Sequence, residues 1–520
     1  MTAVTTTRPI DPDTLTMEAV NGGILRDRPV TVLGLARSGV ALTRFLVDAG
    51  ARVTVYDGRT EAVLAGDIAR LEGRPATLRL GPDVDPASTW ADAALVTTSP
   101  SINPDYPTTE PGLRTALQRL VAARAGRDAD VPALVSEPDL FLRLCVAPTV
   151  GVTGTKGKTT TSALTAAILA ADPSHPVVLG GNIGIPIVER LPELTPQHRV
   201  VYELSELQLP TLSRGTTAAV YTNVTSDHLD RHGSLEGYRA AKRRLAELVD
   251  PDGALILNAE DPVVAGYAGL APGAPILYQR DRPTPGGLGV VDGWIVAAGV
   301  PRLSLVGGGV AATGPGGRIM PVAELALPGA HNVSNALAAV AVGLSFGVAP
   351  DAIRAAAASF TGVEHRLEPV ALVDGVRFVN DSQGTQPDAV IAALHAFDRP
   401  IVLIAGGRDK GVDLHELATV VADRAAAAVV IGESGPQLDA LFRAAGLATV
   451  ERAETMDEAV ATADTLARAA LAAGTERGPA TVLLSPAAAS FDMFVDYAAR
   501  GGAFKAAVAA LASRSGGGHR

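Results

Sequence analysis

The sequence predicts an α/β fold in three domains, an expectation that rests on three observations. Runs of apolar, β-branched residues alternate with Ala- and Leu-rich helical stretches from end to end, the pattern of parallel strands joined by crossover helices. The 520 residues are enough for about three domains at roughly 150 residues each, too many for a single core. A hydrophobic fraction of 47% with 19% charged residues describes a globular protein and excludes wholesale disorder.

Composition also narrows the functional classes. The net charge is −11 and no long basic run occurs, which argues against a nucleic-acid partner held through phosphate contacts. The single cysteine, Cys145, excludes an internal disulfide framework and any multi-cysteine metal site, and it fits a reducing compartment. Residues 1–20 carry Asp11, Asp13 and Glu18 without an apolar core, so neither a signal peptide nor a membrane anchor is expected there. Apolar helical stretches stop well short of the roughly 20 residues a bilayer requires. A cytoplasmic, soluble monomer without a membrane partner is the expectation.

The first domain, 1–133, opens with Pro29-Val-Thr-Val-Leu33, a glycine turn and a helix over 40–48, then strands at 52–56 and 94–97. Gly34-Leu-Ala-Arg-Ser-Gly39 joins strand to helix and Asp57 ends the next strand, which resembles a Rossmann fingerprint. Ala36 replaces the middle glycine, so close approach of a dinucleotide pyrophosphate is less favourable and a nicotinamide cofactor is not called for. The second domain, 134–362, has strands at 149–153, 177–179, 200–203, 218–222 and 254–257, with a Gly/Pro-rich interruption at 282–317 that predicts β-hairpins or a flexible insert. The third, 363–520, is Rossmann-like, with strands at 376–379, 401–404, 428–431 and 481–484. Its tail, 513–520, is expected to be disordered.

The strongest local signal is Gly151-Val-Thr-Gly154-Thr155-Lys156-Gly157-Lys158-Thr159-Thr160, between a strand and a helix. Glycines let backbone N–H groups approach phosphate, the helix N-terminus adds partial positive charge, Lys158 reaches terminal phosphates and Thr159 suits Mg²⁺. This predicts a P-loop-type ATP site, although Val152 stands where the general spacing has its first glycine. Glu203 closes one neighbouring strand, and Asn223 to Asp230, including His228, follow another. Open α/β sheets collect ligands at these carboxyl ends. Lys242 lies on a helix beginning near Tyr238 and, from that position alone, reads as a snorkelling surface lysine.

Taken together these residues resemble the Mur ligase family, ATP-dependent amide-bond synthetases of peptidoglycan assembly. The matching stretches run in family order: Gly154 to Thr160, Gly180-Gly-Asn182-Ile-Gly184, Glu203-Leu-Ser205, Asn223-Val-Thr-Ser-Asp-His228-Leu-Asp230, Tyr238-Arg-Ala-Ala-Lys242, Leu327-Pro-Gly-Ala-His331-Asn332-Val-Ser-Asn335, Glu364-His365-Arg366 and Asn380-Asp381-Ser382. The C-terminal Ser485-Pro-Ala-Ala-Ala-Ser490-Phe-Asp492-Met-Phe494, followed by Arg500-Gly501, is most similar to the branch that adds D-glutamate.

The resemblance implies an activity: ATP phosphorylates the carboxylate of UDP-N-acetylmuramoyl-L-alanine, and the amine of glutamate attacks the resulting acyl phosphate. It implies that the first domain holds the uridine nucleotide through Arg37, Ser38, Asp57, Arg59, Ser99 and Asn182. Gly154, Thr155, Lys156, Gly157, Lys158, Thr159 and Thr160 would bind ATP, with Asn332 and Asn335, on the loop after Leu327, at adenine and Arg366 and Asp381 at adenosine. Two Mg²⁺ ions are implied, one on Thr159 and Glu203, the other on His228 and a carbamylated Lys242. Lys158, His228 and Lys242 are thus the implied catalytic residues. Thr385 and Lys410 would take the acceptor's α-carboxylate, and Ser490 and the region of Tyr497 its side-chain carboxylate.

The chain departs from the family pattern at Gln383, Gly384 and Gln386, where relatives generally have Lys, Ala and Asn, and at Glu206 and Leu207. A different amino-acid acceptor therefore stays open. A folylpolyglutamate-type ligase lacks a use for residues 33–98, and a non-catalytic nucleotide-binding module has no need of Glu203, His228 and Lys242 together.

Overall fold

The computed structural model describes residues 8–126, 130–183, 186–225, 234–327, 329–408, 413–474 and 478–516. Five short apolar segments, Pro29–Leu33 (β1), Arg52–Asp57 (β2), Ala76–Leu80 (β3), Leu95–Thr98 (β4) and Ala133–Ser136 (β5), pair in parallel in the order β3-β2-β1-β4-β5. The first crossover helix, Arg37–Asp48, buries Val40, Ala41, Leu42, Phe45 and Leu46. It starts earlier than the expected 40, because Gly39 sits inside its first turn rather than ahead of it. Because β5 pairs with β4, the first sheet ends at Ser136, past the edge expected at 133.

The second sheet has nine strands: Thr149–Thr153 (β6), Val177–Gly181 (β7), Arg199–Glu203 (β8), Ala218–Tyr221 (β9), Ala254–Asn258 (β10), Ile276–Tyr278 (β11), Leu288–Val291 (β12), Trp294–Ala297 (β13) and Arg318–Pro321 (β14). Their order is β14-β13-β12-β11-β10-β9-β6-β8-β7. Pairing is parallel from β7 through β12; the Gly/Pro-rich stretch supplies the expected hairpin, β12-β13, and β14, just beyond it, adds the antiparallel edge. On one face, helices Lys158–Ala170 and Ala330–Ser345 share an apolar cluster with Val150, Val152, Val220 and Ile256. On the other, one cluster runs from Ile10, Val30 and Leu46 to Tyr202 and Leu257, so the first two sheets share a core. Residues 1–360 accordingly pack as one compact unit and 361–520 as a second.

The second unit carries Glu368–Val373 (β15), Val376–Asn380 (β16), Ile401–Gly406 (β17), Ala427–Ile431 (β18), Val450–Ala453 (β19) and Ala480–Leu484 (β20), in the order β15-β16-β20-β17-β18-β19. All pairs are parallel except β15 with β16. The fold class is thus α/β with parallel-dominant sheets. The tail corrects one expectation: helix Tyr497–Gly516 carries residues 513–516. The Ala-rich run keeps its helical bonding through Ser513 and Arg514, with Leu511 buried. Among the described residues no helix is long and apolar enough to cross a membrane.

Candidate active site

The carboxyl ends of β8, β6 and β9 lie side by side, Val152 standing opposite both Glu203 and Val220. The phosphate turn leaves this edge. Gly154 takes φ +152°, and a Cβ there would lie 1.9 Å from Thr222 Oγ1, so only glycine fits. Asn223 fastens the turn: its carbonyl accepts from Thr155 N at 2.8 Å, its Oδ1 from Lys156 N at 2.8 Å, and its Nδ2 donates to Lys156 O at 2.9 Å. Among the described residues no side chain caps helix Lys158–Ala170, so its first-turn N–H groups and dipole present an anion-binding end. Lys158 Nζ donates to the carbonyls of Gly154 and Thr155, each at 3.0 Å, which holds the ammonium over the turn.

Glu203 is 1% exposed. Its Oε1 accepts from Asn182 Nδ2 at 2.8 Å, and its Oε2 is buried with no hydrogen-bond partner among the described residues. An orphaned buried carboxylate oxygen at the sheet edge from which the phosphate turn leaves is the donor a hard divalent cation takes, so Glu203 fits Mg²⁺.

Lys242 corrects the reading taken from its helix position. The helix runs Leu235–Glu247, capped by Ser234 Oγ on Gly237 N, and Lys242 is fully buried. Its Nζ donates to Thr153 Oγ1 at 3.2 Å and to Gly154 O at 3.0 Å, and lies 5.6 Å from the centroid of the Tyr238 ring. The Tyr238 hydroxyl bonds Thr155 Oγ1 at 2.8 Å. His228, with Asp227 and Asp230, lies outside the described residues.

Asn332 and Asn335 sit in the first turns of helix Ala330–Ser345, not on a loop. The packing of that helix on Lys158–Ala170 brings Asn335 to the turn, where its Oδ1 accepts from Thr161 Oγ1 at 3.1 Å and its Nδ2 donates to Asn332 Oδ1 at 3.2 Å. A cavity of about 540 Å³ opens here between Lys156, Asn223, Asp261, His331 and Asn335.

The six residues expected at the uridine nucleotide divide between two cavities. Asp57, Arg59 and Ser99 line one of about 580 Å³, and Arg37, Ser38 and Asn182 one of about 130 Å³. Ser101 and Leu207 border both. Burial works against the Asp57 carboxylate, but hydrogen bonds from the Arg59 side chain, Leu35 N and Arg59 N outweigh it and hold the group below its ordinary value. Asp57 thereby ties the Gly34 turn to β2. The smaller cavity also holds Glu137, which sequence reasoning missed. Burial raises its carboxyl to about 7, against the Val188 N–H and the Arg37 charge.

In the second unit, Asp381 and Thr385 follow β16 and Ser490 follows β20. Ser382 Oγ donates to Tyr497 O at 2.7 Å, joining the start of the last helix to the same edge. Lys410 lies outside the described residues. Asp381 is 4% exposed, and burial raises its carboxyl to about 6 in spite of Ser485 Oγ at 2.6 Å, the Leu367 N–H at 3.1 Å and the Arg366 charge.

A folded-state value above the ordinary 3.8 means that the folded chain gains stability as pH falls from 6 toward 4 and loses it as pH rises through 6. Asp381→Asn should therefore gain on wild type by on the order of 2 kcal/mol between pH 4 and pH 8. Denaturant unfolding at both pH values checks this, and a pH-independent difference refutes it.

A nucleotide-binding turn, a buried carboxylate at the next strand end and a second α/β unit define the class: an enzyme that uses the terminal phosphate of a nucleotide. Residues 152–343 match the Mur ligase middle domain, and residues 365–488 match the Mur ligase glutamate ligase domain. The chain is 39% identical over 494 residues to a UDP-N-acetylmuramoylalanine--D-glutamate ligase of Symbiobacterium thermophilum, covering 94% of this chain and 99% of that one. It is 41% identical over 494 residues to the ligase of the same name in Frankia casuarinae, covering 93% and 94%. A solved structure of MurF from Acinetobacter baumannii aligns with 17% identity and a TM-score of 0.47, covering 89% of this chain and 91% of that one. The chain belongs to the Mur ligase family. It is an ATP-dependent, amide-bond-forming ligase.

Proposed function

We propose that this ligase joins the amine of D-glutamate to the L-alanyl carboxylate of UDP-N-acetylmuramoyl-L-alanine, in the cytoplasm, as a step of peptidoglycan precursor synthesis. The observation that carries the chemistry is the convergence of Lys158, Glu203 and Lys242 at one sheet edge. The near full-length likeness to ligases of that name supports the acceptor.

A carboxylate does not condense with an amine in water, because O²⁻ is not a leaving group. The substrate carboxylate oxygen attacks the γ-phosphorus, ADP departs, and the acyl phosphate forms. The amine nitrogen then attacks the acyl carbon, inorganic phosphate leaves, and the nitrogen gives up a proton. Phosphoryl transfer rests on positioning and charge stabilisation. Lys158, released from the Gly154 and Thr155 carbonyls, donates to the γ-phosphate, and the first-turn N–H groups of its helix hold the phosphate chain. Mg²⁺, held by Thr159 and Glu203 and by His228 and a carbamylated Lys242, supplies neutralisation of phosphate charge when bound. Asn332 and Asn335 serve adenine, and Arg366 and Asp381 adenosine. Asp57 with Arg59, Ser99, Arg37, Ser38 and Asn182 holds the uridine nucleotide.

Thr385, Lys410, Ser490 and Tyr497 hold the acceptor at two carboxylates. Two anchors place the amine correctly in one enantiomer, and the other leaves a charged anchor unpaired, a penalty of about 1–3 kcal/mol or about ten- to a hundredfold in rate. Parallel assays of phosphate release with UDP-N-acetylmuramoyl-L-alanine and either D- or L-glutamate should favour the D form by that factor. Preference for L-glutamate sinks the acceptor assignment, and no release with either sinks the substrate pair.

A further inference from the structure

Arg500 is among the largest fully buried side chains of the molecule, 1% exposed, at the first turns of helix Tyr497–Gly516. Its guanidinium reaches three separate loops. Nε donates to Ser382 Oγ at 3.0 Å and Nη2 to Ser382 O at 2.9 Å, just after β16. Nη1 donates to Ala488 O at 3.1 Å, after β20, and to Gly406 O at 3.5 Å, the end of β17. The strands β16, β20 and β17 are neighbours in the sheet, so one side chain ties together the carboxyl-terminal turns of three adjacent parallel strands.

The turns themselves are built around it. Gly407 has φ +143°, and a Cβ there would stand 2.2 Å from Ala489 O and 3.1 Å from Arg500 Nη1. Arg408 N donates to Ala489 O at 2.8 Å, which closes the β17 turn on the β20 turn. No carboxylate of the described residues lies within ion-pair distance of the guanidinium. Asp492 acts on it only at longer range, and burial lowers its proton affinity to about 10. A buried cation satisfied by three carbonyls and a hydroxyl, with no carboxylate, leaves a positive field at the edge where its loops end, and planar, five-donor geometry is what lysine cannot reproduce.

We infer that Arg500 is the positioning residue of the amino-acid acceptor site: it locks the turns that lead to Thr385 and Ser490 and leaves a positive field at the edge where the acceptor's carboxylate is to sit. The inference deepens the reading that D-glutamate is the acceptor and rests on it. Two of its three anchor points, Ala488 and Gly406, lie away from Asp381, so its loss should act most on the acceptor.

The test is steady-state kinetics of Arg500→Lys and Arg500→Gln, with D-glutamate, ATP and UDP-N-acetylmuramoyl-L-alanine varied in turn. Lysine keeps the charge and loses the fork, so KM for D-glutamate should rise about tenfold with the other two KM values within about twofold. Glutamine loses both and should raise it about a hundredfold. Ser382→Ala, which removes only the Nε partner, should shift the same KM in the same direction by less, and it serves if the Arg500 variants do not fold. Equal rises in all three KM values, a fall in kcat alone, or no change in any variant overturns the inference. If the wild-type chain shows no D-glutamate-dependent phosphate release, the acceptor reading fails first and this inference falls with it.

Discussion

Lys158→Ala should leave the chain folded and stop ATP-dependent phosphate release, a fall of at least about a hundredfold in kcat. The side chain is half-buried and, among the described residues, makes two hydrogen bonds, both to carbonyls of its own turn. Nothing in the core rests on it. The turn is held instead by Asn223, Thr222 and the Tyr238–Thr155 pair, all untouched by the substitution. What alanine removes is the cation at the helix N-terminus that can follow charge onto the γ-phosphate as the bond to ADP breaks. The loss should therefore appear in kcat more than in KM for ATP, because the backbone N–H groups still bind the phosphate chain. Phosphate release measured beside the thermal unfolding midpoint separates the outcomes: near-normal turnover removes Lys158 from the chemistry, and a collapsed midpoint makes it structural.

The turn was legible because its residues are contiguous. Gly154, Lys158 and Thr159 stand within six positions, and their chemistry can be read without knowing what lies across the sheet. Buried strands were legible for a related reason: β6, β8 and β17 are buried at every position and each is built on Val, Ile or Leu. The strands that went unread, β3, β5, β11, β14, β15 and β19, are short or lie at sheet edges. β3 and β19 expose alternate or central residues, and β15 carries Pro369, so their sequences lack the run that marks a buried strand.

Residues whose task depends on distant partners were the hardest to read. Arg500 was visible as part of an Arg-Gly pair, but that it spans from residue 382 to residue 488 follows only from the strand order β16-β20-β17. Glu137 carries no local signal at all, since a glutamate in the first turn of a helix is ordinary, and its raised carboxyl follows from burial beside Arg37. Asn335 was singled out but placed on a loop, because Pro328 and Gly329 in the sequence suggest a turn, whereas it lies in the helix that begins at Ala330.

Lys242→Ala is expected to lose activity by at least about a hundredfold and to recover part of it when a short carboxylic acid such as acetate is added. From its helix this residue reads as exposed, yet it is fully buried, with its amine between Thr153 Oγ1 and Gly154 O beneath the phosphate turn. An ammonium has three donors and no lone pair, so it cannot take a place beside a cation. Addition of CO₂ to the neutral amine forms a nitrogen–carbon bond, releases a proton, and leaves a carboxylate with two oxygens in the same place. The alanine variant deletes that group and leaves room about the size of the lost chain, which a small carboxylate can enter. Acetate restores the oxygens without restoring the lysine, whereas methylammonium restores a cation without oxygens and should not rescue. Rescue by methylammonium, or full activity without any addition, returns Lys242 to the role of a buried brace for the Gly154 carbonyl. Loss of activity with no rescue by acetate, in a variant whose unfolding midpoint matches wild type, also counts against the carbamate.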